Sequence, residues 1–171
     1  MPDKHADAIL QRLIRILSKE IVIYTKLLTV LEEKQQAIVS GEIEKLYSAT
    51  ENEQAALSEA KKTEKERKLT LGTLANSSSD LKNIESLRQL ISVVEYKYNQ
   101  RLNEIRDSLK NILEKVALKN DQNKFLLSHS IDFVQTMIKD LLSSRETMSD
   151  LYTANGGNLN PKYLAMLDRR V

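Results

Sequence analysis

From Ala6 onward the apolar residues Leu10, Leu13, Leu17, Ile21, Tyr24, Leu28 and Leu31 recur at steps of three and four, which sets them on one face of a helix. The spacing predicts a first helix running to about Val39. Ser40 and Gly41 form a capping or helix-breaking pair, after which Ile43, Leu46, Leu57, Leu71 and Leu74 resume a sparser stripe. Between Ser58 and Lys68 the chain is almost wholly charged, with Ala60 as its apolar contact, so this stretch reads as a solvated face near the distal end of a helical hairpin.

The run Asn76-Ser77-Ser78-Ser79-Asp80 predicts a loop, because these side chains bond their own backbone and favour turns and N-caps. A third helix is expected to begin there. Its stripe of Ile84, Leu87, Ile91, Val94, Tyr98, Leu102, Ile105, Leu109, Ile112 and Val116 alternates steps of three and four, the signature of coiled-coil packing. Lys119-Asn120-Asp121-Gln122 then interrupts the large apolar residues without a glycine or proline. The third helix therefore either bends here or runs straight into a fourth.

The fourth segment, Asn123 to about Ser149, carries a wider apolar face. With successive residues about 100° apart, Leu127, Ile131, Val134, Ile138 and Leu142 form one ridge, and Leu126, Phe133 and Met137 form a second beside it. The two ridges span about half the circumference, more than a helix with one neighbouring core needs. Either another helix of the same bundle or a partner must cover the extra width. Beyond this segment Thr153 to Asn158, with Gly156 and Gly157, predicts a flexible joint, and Asn160-Pro161 starts a short helix bearing Tyr163, Leu164, Met166 and Leu167. The expected architecture is all-α: an elongated antiparallel bundle of four long helical segments over 1–150, the last two either bent or continuous, and a flexible tail over 151–171.

Composition sharpens this picture. Among 171 residues there are four glycines, two prolines and no cysteine, which removes disulfides, thiolate nucleophiles and cysteine-ligated zinc together. Basic and acidic residues number 26 and 24 and are spread along the chain, so no polybasic footprint points to nucleic acid. No apolar run approaches a membrane span, and a soluble cytoplasmic protein is the expectation. His5 and His129 are isolated, no Glu-x-x-His pair is present, and no phosphate-binding loop or serine elbow occurs. Carboxylates such as Glu32 and Glu33 point in different directions on a helix and cannot converge on one atom. Neither an enzyme nor a cofactor is expected; a protein-binding role is.

Two motifs occur in order near the C-terminus: Asn123-Lys124-Phe125-Leu126-Leu127, and later Leu151-Tyr152-Thr153-Ala154-Asn155-Gly156. An Asn-x-x-Leu-Leu start to the last long helix, followed by a Leu-Tyr dipeptide opening a glycine-containing tail, resembles the flagellar export chaperone family FlgN. The Ser40-Gly41-Glu42 break before a glutamate-rich helix is similar to that family too. Thr153 stands where the family often has glycine, and Glu53-Gln54 where it has a glutamate-lysine pair.

The resemblance implies a chaperone that holds the C-terminal helical segments of the hook-filament junction proteins FlgK and FlgL before export. On that reading Leu126, Leu127, Ile131, Phe133 and Met137 form the client-binding face, with Leu127 and Ile131 shared with the bundle core. Tyr152 either docks at the export gate protein FlhA, as the resemblance implies, or covers the end of the bundle. The rival from another class is a structural coiled-coil protein, a homo-oligomer or spacer built through the third helix's heptads, with no client.

Overall fold

The computed structural model describes residues 4–77 and 86–151, with side chains over 5–77 and 86–143. Among the described residues four helices follow in order: α1 (Lys4–Ser40), α2 (Ile43–Ser77), α3 (Leu87–Val93) and α4 (Tyr96–Leu151). The chain divides into two compact units, Met1–Leu127 and Ser128–Val171. The all-α bundle is observed, and the open question about the last two long segments is settled: they are one uninterrupted helix.

Within the first unit α1 is the shared wall. Its Leu13, Leu17, Leu27 and Leu31 are all but fully buried, and Ile16, Ile23 and Val30 are buried beside them. This face is wider than the single stripe read from the sequence because α1 has a neighbour on each side. Arg67–Glu20 and Lys34–Glu53 ion pairs set α2 antiparallel to α1. Contacts of Asp7 with Tyr98 and of Gln35 with Lys119 set α4 parallel to it. The path is therefore up, down and up again. At the lower end Ile9, Leu10, Leu13, Leu17, Leu74, Leu90, Ile91, Leu102, Ile105 and Leu109 form one core drawn from all four helices.

Ser40–Gly41 ends α1 as a Schellman turn. Gly41 takes φ +70°, its N–H reaches the Ile38 carbonyl oxygen at 3.3 Å, and the Glu42 N–H reaches that of Ala37 at 3.1 Å. The region is strained for any residue with a Cβ, which explains glycine here. Ser40 Oγ donates to Glu42, whose carboxyl is held below its usual range chiefly by Lys45 and then by Ser40.

The charged stretch of α2 turns Lys61, Lys62, Lys65 and Lys68 to solvent, as read, but it faces more core than Ala60 alone. Its inner face is Ala56, Ala60, Thr63 and Thr70, all buried, so small side chains on α2 meet large ones on α1. Buried hydroxyls are tolerated because Thr63 bonds the Glu59 carbonyl at 3.0 Å and Thr70 that of Glu66 at 2.8 Å. Arg67 folds inward to Glu20, 4 % exposed, with Nε–Oε1 at 2.9 Å. Burial pushes the Glu20 carboxyl up despite that arginine.

The third helix also departs from expectation. The stripe from Leu87 to Val116 faces the core as read, but the helix breaks at Val94–Glu95, giving the seven-residue α3 before α4. Periodicity could not reveal the break, since Ile91, Val94 and Tyr98 stay on the core side across it. Ser86 and Gln89 make a reciprocal capping box that starts α3, at 3.3 and 3.2 Å, and across the break Asn99 Nδ2 satisfies the Ile91 carbonyl at 2.8 Å. Ser78 to Asp80 of the expected loop, and Ile84, lie outside the described residues.

Where α4 begins, the Tyr98 hydroxyl and Lys97 ammonium both reach Asp7 of α1. Tyr98 first, and Lys97 after it, hold the Asp7 carboxyl below its ordinary value. At the other end Asn123 bonds the Leu31 carbonyl. α4 is thus tied to α1 by polar contacts flanking the apolar core.

Candidate functional site

The five residues expected to meet a client are not alike in their surroundings. Leu126 and Leu127 are half-buried and close the first unit. Ile131, Phe133 and Met137 belong to the second unit, at 50 %, 65 % and 48 % exposure. Ile131 is therefore not shared with a core, contrary to expectation. Val134, Ile138 and Leu142, which share a ridge with Leu127 and Ile131 in the sequence pattern, are exposed as well, and so is Leu141.

Both ridges of this α4 segment are consequently accessible over Ile131–Leu142. Leu141 was missed although the same angular bookkeeping places it between the two ridges, about 20° from Val134 and about 40° from Met137. Helix periodicity identified the apolar surface; it could not say which ridge a core would take.

The charges of this segment lie on the other half of the helix, beside the apolar surface. Asp132, Lys139 and Asp140 are exposed on the same helix, giving alternating sign rather than a single-sign field. Such an arrangement suits an amphipathic protein segment better than a nucleic acid or an anionic surface. Phe125, of the Asn-x-x-Leu-Leu motif, is 63 % exposed and lines an open notch of about 430 Å³ with Gln35, Asp121, Gln122 and Leu126 in the first unit.

Among the described residues no group of three histidine, cysteine, aspartate or glutamate side chains is placed to hold a metal ion. His5 and His129 are both exposed. No described helix is long and apolar enough to cross a membrane. Tyr152 and the segment from Thr153 to Val171, including the expected Pro161 helix, lie outside the described residues.

A family model described as FlgN protein matches residues 1–160, nearly the whole chain. The chain belongs to the FlgN family. No curated protein and no solved structure gives a match. FlgN membership carries the general role of a flagellar export chaperone and the binding of flagellar hook-associated proteins as a class. The FlgN match embraces both C-terminal motifs, Asn123–Leu127 and Leu151–Gly156, and stops one residue before Pro161.

Proposed function

We propose that this protein is a cytoplasmic chaperone that holds the C-terminal helical segments of FlgK and FlgL and delivers them to the export gate through FlhA. The observation that carries the reading is the exposed apolar row on α4, Ile131, Phe133, Val134, Met137, Ile138, Leu141 and Leu142. Junction-protein segments that assemble through an apolar helix face lack their assembly partners before export. Covering that face with another helix's apolar row prevents premature association.

Ile131, Phe133 and Met137 are the principal client contacts, and Leu126 and Leu127, partly covered already, contribute less. Burying a large apolar side chain is worth about 1.5–3 kcal/mol. Ordering a client segment costs about 2–5 kcal/mol, on top of lost tumbling. Three residues do not suffice, and the four further exposed side chains enlarge the contact to one that does.

The test is calorimetric titration of the purified chain with full FlgK and FlgL, and with versions truncated before their C-terminal helices. Binding is expected with the full proteins and lost on truncation. Concentration-dependent self-association that neither protein disturbs is the result expected of a coiled-coil spacer, and would defeat the chaperone reading.

Tyr152 is assigned to the docking step at FlhA, on the strength of the family motif that contains it. An amphipathic ring, apolar in its body and polar at its tip, suits transient docking. Tyr152→Ala is expected to leave client affinity intact and to lower FlhA affinity about tenfold or more, the loss of roughly 1.4 kcal/mol or more. Full FlhA affinity in that variant would remove the assignment.

A further inference from the structure

Asn123 occupies a seam position of α4. Leu102, Ile105, Leu109, Ile112, Val116, Lys119 and Asn123 follow at alternating steps of three and four, so Asn123 sits where the pattern calls for a large apolar residue. It is only 3 % exposed. Its Nδ2 donates to the Leu31 carbonyl of α1 at 2.8 Å, while its Oδ1 is buried with no hydrogen-bond partner. Turning the amide over would set Oδ1 against that carbonyl, two acceptors face to face, so the orphaned oxygen belongs to this placement.

A buried acceptor left unmade weakens a fold, and an apolar residue of similar volume would fill the seam without it. Stability therefore does not account for an amide here. What it supplies is direction, because it meets one particular carbonyl of α1. Beside it Lys119 Nζ reaches Gln35 Oε1 at 3.0 Å, and Gln35 Nε2 reaches Gln122 Oε1 at 3.3 Å. The apolar part of the seam has no such preference: a three-four stripe facing a three-four stripe packs again after sliding by one heptad, about 10 Å.

We infer that Asn123 is a positioning residue that sets the register of α4 along α1. The register decides where cover of the α4 seam by the first unit stops. It thereby fixes how much of that helix remains for a client, a consequence that rests on the chaperone reading, whereas the register itself does not.

The test uses the full chain without client. Because the protein has no cysteine, Arg12→Cys and Lys115→Cys, both at exposed positions of the first unit, accept nitroxide labels, and the distance between them is read by pulsed electron resonance. Dilution with unlabelled chain restricts the reading to one molecule. The parent is expected to show one narrow distance. Asn123→Leu is expected to melt at or above the parent temperature and to show a second population displaced by about 10 Å, one heptad. Leu109→Ala, a cavity in the same seam, is expected to melt lower while keeping the single distance. A single narrow distance in Asn123→Leu overturns the inference, and so does its failure to fold, since the amide would then serve stability.

Discussion

Replacing Phe133 and Met137 together with serine is expected to weaken binding of FlgK or FlgL by roughly 10²- to 10⁴-fold. Two large apolar side chains buried on binding contribute about 3–6 kcal/mol, and each 1.4 kcal/mol is tenfold. The fold is expected to tolerate both changes, because each side chain is about half or more exposed and surface substitutions usually shift stability by little. Far-UV circular dichroism should remain helical. Val22→Ser, at a site on α1 that is 68 % exposed, controls for loss of any surface hydrophobe and should bind as the parent does. Undiminished affinity in the double variant would show that the client is held elsewhere.

The second large effect lies in the first unit and concerns stability alone. Arg67→Ala leaves the Glu20 carboxylate buried against α2 without its 2.9 Å partner. Breaking a buried pair from one side costs about 3–5 kcal/mol. About 3 kcal/mol is expected here, because the Arg67 side chain retains 30 % exposure. The pH dependence has a definite sign. Burial raises the Glu20 carboxyl above its ordinary 4.5 in the folded chain, so the folded state holds its proton to higher pH than the unfolded state does. The Glu20 contribution to stability is greatest below about 4.5 and is lost as pH rises through the raised value. Removing Arg67 raises that value further and steepens the loss. Glu20→Gln is expected to restore most of the stability of Arg67→Ala at neutral pH and to flatten its pH profile. Urea denaturation across pH 4 to 8 reads both, and an Arg67→Ala variant as stable as the parent at neutral pH would contradict the burial argument.

Glu20 and Arg67 also show where sequence reading stops. Nothing in their local patterns marks a buried ion pair: Arg67 lies in a run of charges, and Glu20 follows Ser18-Lys19. The pair exists because α2 crosses that point of α1 on a face of alanine and threonine. Thr63 and Thr70 look polar in a list of residues, yet each satisfies its hydroxyl within its own helix and becomes core. The break at Val94–Glu95 escaped for a different reason, since the apolar period runs through it undisturbed and the contact that spans it comes from an ordinary polar residue, Asn99.

The candidate site divides along the same line. Position along the helix is a property of sequence, because backbone geometry turns about 100° per residue whatever surrounds it. Hence the apolar faces of α1 and α4, the Gly41 turn and the two C-terminal motifs were all legible, and the motifs carried the family. Which apolar face finds a neighbour is a property of packing. Ile131, Val134 and Ile138 have the same chemistry and spacing as Leu102, Ile105 and Leu109. Only the tertiary arrangement made one set core and left the other exposed, because burial depends on what another segment brings within a few ångströms.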